Sequence, residues 1–370
     1  MLSIIAVLMK NDRQKEKKMI PVEKLQQILD ESTSSGKECG LQLVIYQHGR
    51  LAADLVSGWT DNTRSRKVTA ETLFPIFSSG KAVMTIAFHK LKEEFGFDYS
   101  EKVVDYWPEF TGSGKEKTEI RHILSHRTGL HFLPGVPDTS PLVADWELMC
   151  KNLCAAKPKW EPGTKCGYQG LTFAWLVGEL AYRISGIPFK EYITDRILRP
   201  LGLEKDFFFG ITDDAASRLV QLDDTAFNGA YTWTKAVFVQ ETFRKAFFPS
   251  ANGIATAGAA ARIFNALYHG PAPLLRPETI DNATQLLRHP EDPIRPGSWE
   301  KFGLGFALPN WETNGNDIFG HGGAAGSELF YCRSLDLVLC FVKNRPLPSH
   351  PLHPVRDRIS EALGLPTRFW

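Results

Sequence analysis

The 370-residue chain predicts an α/β plus α fold: an antiparallel sheet flanked by N- and C-terminal helices, with an inserted helical domain. Three observations predict it. Strand-like runs stand near the start, at 41–47 and 50–56, and return near the end, at 302–308, 326–333 and 337–343. The stretch from Tyr99 to about Ala255 is richer in helical patterns and long polar loops. Amphipathic stretches at 22–29 and 353–363 supply the terminal helices. One sheet drawing strands from both ends implies an α/β domain of residues 19–98 and 256–370, interrupted by a helical domain of 99–255.

Each element has a local reason. Residues 1–18 read as a disordered leader, because apolar Met1–Met9 has no basic leader or small-residue cleavage site and gives way to a charged run. Residues 41–47 carry β-branched Val44 and Ile45, and His48-Gly49 supplies a turn into the second run, a hairpin signal. Met84, Phe88, Leu91 and Phe95 are spaced by four, three and four, which predicts a helix starting at Ser78 and ending near Gly96. Residues 171–184 form the strongest helical pattern of the insertion, closed by Gly186-Ile187-Pro188. Another helix is expected at 257–268. Ser334-Leu335-Asp336 joins the last two strands.

Composition excludes several classes of function. Lys and Arg number 43 against 42 Asp and Glu, a formal charge of +1, so no basic surface for nucleic acid is implied. No apolar run reaches the 18 residues of a spanning helix. Six cysteines in so long a chain are not a disulfide framework, and a reducing, cytoplasmic setting is expected. Cys150 and Cys154 lie on one face of an expected helix, too few for structural zinc. His122, His126 and His131 have no accompanying carboxylate motif, so no metal site is expected.

The chemistry concentrates in three segments. Ser78-Ser79-Gly80-Lys81 precedes the apolar run from Ala82 to Phe88. A serine hydroxyl needs a neighbour to take its proton, and at a helix start the Lys81 amine, three residues on, can reach it. The tetrapeptide alone fits better a capping serine followed by a solvated lysine. It occurs a second time, as Ser34-Ser35-Gly36-Lys37, where no apolar helix follows. In the second segment Tyr168 stands in a turn-rich loop, 160–170, ahead of the strong helix. A phenol beside an ammonium can serve as a general base. Third, Phe319 to Ser327 is rich in glycine at a strand entrance, which suggests close approach of another molecule to the backbone. Rival patterns are poorer: Pro75 stands where a phosphate-binding loop needs its first glycine, and no Gly-x-Ser-x-Gly is present.

Together, Ser78-Ser79-Gly80-Lys81, Tyr168-Gln169-Gly170 and His321-Gly322-Gly323 resemble the three motifs of the serine β-lactamase and penicillin-binding-protein superfamily. The similarity is to its class C branch and the related family VIII carboxylesterases. Residues 124–130 (Leu-Ser-His-Arg-Thr-Gly-Leu), 160–163 (Trp-Glu-Pro-Gly), 252–256 (Asn-Gly-Ile-Ala-Thr) and 302–306 (Phe-Gly-Leu-Gly-Phe) resemble further segments of that family. Order and spacing match from about Leu41 to Asn344.

The resemblance implies Ser78 as the acylated nucleophile, Lys81 as its proton acceptor or the residue that tunes Tyr168, and Tyr168 as the group that moves protons to and from the leaving group and water. It implies an oxyanion hole from the backbone N–H groups of Ser78 and Ala324, and substrate contacts at Gly170, His321, Gly322 and Gly323. No cofactor is implied, and the partner is a small-molecule ester or amide. Two departures matter. Gly170 replaces an asparagine that would bond an amide, and His321 replaces a lysine that would attract a carboxylate. A histidine of ordinary pKa, about 6.5, is mostly neutral at pH 7, so the expected substrate shifts toward neutral esters.

Overall fold

The computed structural model describes residues 19–137, 140–223, 240–287, 301–309, 315–346 and 354–365. Its longer helices are α1 (Val22–Ser34), α2 (Gly80–Phe95), α3 (Trp146–Ala155), α4 (Phe173–Ser185), α5 (Ala257–Asn265) and α6 (Pro354–Leu363). Its strands are β1 (Gly40–Gln47), β2 (Arg50–Gly58), β3 (Phe74–Phe77), β4 (Phe207–Phe209), β5 (Gly253–Ala255), β6 (Ile318–Gly323), β7 (Ser327–Cys332) and β8 (Leu337–Lys343).

The large sheet has the order β2-β1-β8-β7-β6, and every adjacent pair is antiparallel. Strands from the two ends of the sequence meet at β1 and β8, where Leu41 pairs with Lys343 and Gln47 with Leu337. Both faces are covered. Leu41, Leu43 and Ile45 of β1 and Leu337, Leu339 and Phe341 of β8 pack with Leu25 and Leu29 of α1 and Ile359 of α6. The intervening residues, Val44, Val338, Cys340 and Val342, join the main core with Ala260 and Ile263 of α5. Successive side chains point to opposite faces, so a strand buried on both reads as a continuous apolar run. This accounts for Leu337-Val338-Leu339-Cys340-Phe341-Val342.

A small sheet, β3-β5-β4, joins these layers to the helical part. Gln42, buried among the apolar residues of β1, binds the two regions: its Oε1 accepts the Ala257 N–H at 2.8 Å and its Nε2 donates to the Thr72 carbonyl at 3.0 Å. Helix α2 is buried from Gly80 through His89, and it packs against α4. Gly96 ends it in the left-handed region, at φ 78°.

The structure corrects three expectations and adds one sheet. Helix α2 begins at Gly80, with Ser78 and Ser79 forming the turn that leads into it. Residues 302–308 are not a strand, since only isolated bridges join Phe302 to Ala307 and Ala307 to Gly320. There Gly305, at φ 91°, turns the chain against Thr85 of α2. The glycine-rich stretch from Phe319 is itself an edge strand, β6, rather than a loop before one. The small sheet was not anticipated, because three- and four-residue strands are too short to show a period. No disulfide joins the cysteines; Cys332 and Cys340 are buried in the sheet. Among the described residues no helix is long and apolar enough to cross a membrane, and no cluster of His, Cys, Asp and Glu is arranged for a metal.

Candidate active site

Ser78 stands at the turn from β3 into α2, and the turn is strained. Phe77 has φ 46°, a region a bulky side chain rarely enters. Two short bonds close the corner, Ser79 N–H to the Ile76 carbonyl at 3.0 Å and Lys81 N–H to the Ser78 carbonyl at 2.9 Å. The Ser79 hydroxyl lies 3.2 Å from that of Ser327, which donates to the Ile76 carbonyl at 2.7 Å. The corner is thus stitched to β7.

Lys81 is wholly buried. Its Nζ lies 3.1 Å from Ser78 Oγ, 2.8 Å from the Gly170 carbonyl and 2.6 Å from the Ser250 carbonyl. The carbonyls can only accept, whereas the Ser78 hydroxyl can donate or accept. As an ammonium, Lys81 donates to all three. As a neutral amine it keeps both carbonyls satisfied with its two N–H groups and turns its lone pair to the Ser78 hydroxyl. The geometry therefore holds both partners of a proton transfer within hydrogen-bond reach. Gly170 enters through its backbone, although its sequence signal was the missing side chain. A Cβ there would meet nothing nearer than the Tyr168 ring at 3.5 Å, an ordinary contact.

Tyr168 is presented by the loop before α4. Its ring stacks on Phe302 (centroids 5.7 Å apart, planes at 13°) and lies 5.1 Å from Lys81 Nζ. Its hydroxyl is 3.5 Å from His321 Nε2. The opposite nitrogen of His321, Nδ1, lies 2.5 Å from the Gly322 carbonyl; because that oxygen can only accept, Nδ1 carries the proton and Nε2 turns a lone pair toward Tyr168. Burial, helped by the charge of Lys81, lowers the His321 pKa to about 3. His321 is therefore neutral at pH 7, and only 5% of its surface is exposed.

The end of β6 closes the site. A Cβ on Gly323 would lie 2.2 Å from the Ile76 carbonyl and 2.1 Å from Ser327 Oγ. The close approach foreseen for this glycine is thus that of the chain's own β3 corner. Ala324 begins the following turn, which packs with Phe77 through Ala325. Gly322 faces Glu328 across the β6–β7 pair, 3.0 Å from where its Cβ would be. Ser78, Lys81, Tyr168, Gly170 and His321 are thus brought into one linked group, with Gly323 and Ala324 at its edge. His122 and His131 do not join it: His122 Nδ1 accepts the Glu119 N–H, and His131 stacks on Trp160.

Sequence reasoning missed Ser250. Its carbonyl accepts from Lys81 and, at 3.4 Å, from Ser78 Oγ, while its own hydroxyl donates to the Leu171 carbonyl at 2.8 Å. A residue that acts through its carbonyl leaves no mark in its type. The one pointer was its position, two before the family-like segment that starts at Asn252.

The site thus sets a buried lysine beside a serine at a strand-to-helix corner, faced by a tyrosine and by the end of an edge strand. Residues 25–363 match the β-lactamase family, and the chain belongs to it. Among curated proteins, the esterase/β-lactamase LipL of Mycobacterium tuberculosis is 28% identical over 255 residues, covering 62% of this chain and 59% of that protein. A β-lactamase of Escherichia coli is 28% identical over 147 residues, covering 40% of this chain and 37% of its own length. Matches to both thus span less than two thirds of the relative. Solved structures align more fully. A penicillin-binding protein homolog from Caulobacter crescentus superposes with a TM-score of 0.80 at 29% identity, over 92% of this chain and 96% of that one. A family VIII carboxylesterase does so with a TM-score of 0.79 at 26% identity, over the same two shares.

Proposed function

We propose that this protein is a serine hydrolase that cleaves neutral esters through an acyl-enzyme on Ser78. The observation that carries the reading is Lys81 Nζ at 3.1 Å from Ser78 Oγ, with two backbone carbonyls fixing the amine. In this reading neutral Lys81 takes the Ser78 proton as Oγ bonds the ester carbonyl carbon. The backbone N–H groups of Ser78 and Ala324 would receive the developing oxyanion. The tetrahedral adduct expels the alkoxide, which leaves as the alcohol with a proton delivered by way of Tyr168. Water then gives a proton back along the same path, attacks the acyl carbon and releases the carboxylic acid, restoring Ser78.

Substrate preference follows from Gly170 and His321. Neither an amide side chain nor a cation is offered where an anionic amide substrate would need both, and His321 is held neutral by burial. The names of the relatives, an esterase/β-lactamase and a carboxylesterase among them, support ester chemistry. Labelling the protein with a fluorophosphonate and mapping the adduct tests the reading. The expected result is a single modified residue, Ser78, with loss of ester turnover in step with labelling. An adduct elsewhere, with turnover retained, overturns it.

A further inference from the structure

The loop that presents Tyr168 is held from outside, and much of its hold comes from one residue. His126 follows the short helix Ile120–Leu124, is fully buried and has φ 60°. Its backbone carbonyl accepts the Gly167 N–H at 2.8 Å, and its Nδ1 accepts the Gln169 N–H at 3.3 Å. The two bonds bracket Tyr168, one residue to either side. The imidazole also meets the Tyr168 ring edge-on, with centroids 5.1 Å apart and planes at 67°.

Packing does not account for an imidazole here. Nδ1 accepts only if the ring is neutral with its proton on Nε2, and burial, with the charge of Lys81, holds it neutral. The Nε2–H is then buried without a hydrogen-bond partner, a cost that an apolar side chain would not incur. The left-handed backbone at φ 60° is one that histidine shares with asparagine and that most side chains avoid.

We propose that His126 is a positioning residue for Tyr168: by accepting the Gln169 N–H it sets where the phenol stands relative to Lys81 and Ser78. The proposal rests on the reading of Tyr168 as the proton-transfer group. The loop has anchors that do not involve the imidazole. The Gln169 side chain accepts from Thr128 Oγ1 at 2.7 Å and donates to the Ile123 carbonyl at 3.2 Å, and the Gly163 N–H bonds the Arg127 carbonyl at 2.9 Å. Removing the ring should therefore loosen Tyr168 while the loop stays folded.

The test compares His126→Leu, which fills the space without an acceptor, with His126→Asn, whose Oδ1 can take the place of Nδ1 and which tolerates the backbone. With p-nitrophenyl acetate as substrate, His126→Leu should lower kcat about 10- to 100-fold, the scale of a small misplacement of a reacting group, with KM little changed. His126→Asn should recover most of the loss. In a Tyr168→Phe background His126→Leu should cost little more. Should His126→Leu fail to fold, His126→Gly relieves the backbone, lacks the acceptor and gives the same contrast with asparagine. Wild-type kcat in the variant without the acceptor, equal losses for leucine or glycine and asparagine, or full additivity with Tyr168→Phe would each overturn the proposal. Ser78→Ala separates the two failures. If it abolishes turnover and Tyr168→Phe reduces it, those outcomes count against His126 alone. Undiminished turnover in Tyr168→Phe overturns the role of Tyr168 and the proposal together.

Discussion

The same four residues, Ser-Ser-Gly-Lys, occur at 34–37 and at 78–81, and the fold uses them in opposite ways. At 34–37 the tetrapeptide leaves a helix: Ser34 is the last residue of α1, Ser35 follows as its cap and Gly36 turns away at φ 73°. Lys37 ends exposed. At 78–81 the tetrapeptide enters a helix from a strand, and Lys81 is buried against carbonyls that lie 89 and 169 residues further along the chain. Identical chemistry has thus been given a solvated end in one place and a desolvated, aimed amine in the other. The motif supplies the atoms. The direction of the adjoining helix and two distant backbone segments supply the geometry.

That contrast can be broken most directly at the serines. Ser78→Ala should lower hydrolysis of p-nitrophenyl acetate by several orders of magnitude, whereas Ser34→Ala should leave it within about twofold, as surface changes usually do. Equal behaviour of the two variants in steady-state assays would remove the distinction.

The lysines should divide in the same way. Lys81→Ala and Tyr168→Phe are each expected to cost about 100- to 10,000-fold in kcat/KM, the range for lost acid–base groups. Their double variant should cost little more, because groups on one proton path are not additive. Lys37→Ala should match the wild type. Fully additive losses in the cycle would show that Lys81 and Tyr168 act separately.

Acid should act on the buried region and spare the exposed one. Burial lowers the pKa of His89 to about 4, of His122 to about 4 and of His321 to about 3. All lie below the ordinary value near 6.5, so below that pH the unfolded chain binds more protons than the folded one. Stability is then whole above pH 6.5 and falls as pH drops toward the folded values. The slope per histidine is at most about 1.4 kcal/mol per pH unit. Urea midpoints measured between pH 7 and pH 5 should fall accordingly. A flat profile would mean that these rings accept protons in the folded state.

The smallest effect expected is on specificity. Gly170→Asn with His321→Lys would supply the amide and the cation that the site lacks, and a Cβ at Gly170 has room. The ratio of nitrocefin to neutral-ester turnover should rise about tenfold, for contacts worth about 1–3 kcal/mol, and the gain should shrink at high salt. An unchanged ratio would detach substrate charge from these two positions.

Much of this was legible along the chain. Apolar runs marked β1, β2 and β8, with the His48-Gly49 turn between the first two, a four-three-four spacing marked α2, and Gly96 and Gly186 marked helix ends, where the backbone is left-handed. The serine, lysine and tyrosine stood out as residue types in a recognisable order. Strand β6 was hidden by its glycines, which carry no side-chain period, and residues 302–308 imitated a strand because Phe302 and Phe306 alternate with glycines that instead bend the chain.

The sequence by itself determined the local elements and the chemical inventory, since these depend on spacing, branching and residue type over a few neighbours. Only the tertiary structure decided which Ser-Ser-Gly-Lys holds a buried amine, that the Gly170 and Ser250 carbonyls hold it, that His321 is buried and turned to Tyr168, and that Gly323 is small to admit the chain's own Ile76. The physical reason is common to all four. Carbonyl acceptors are the same on every residue, and desolvation and close approach depend on what a distant segment brings into contact, so none is written in the type of the residue it acts on.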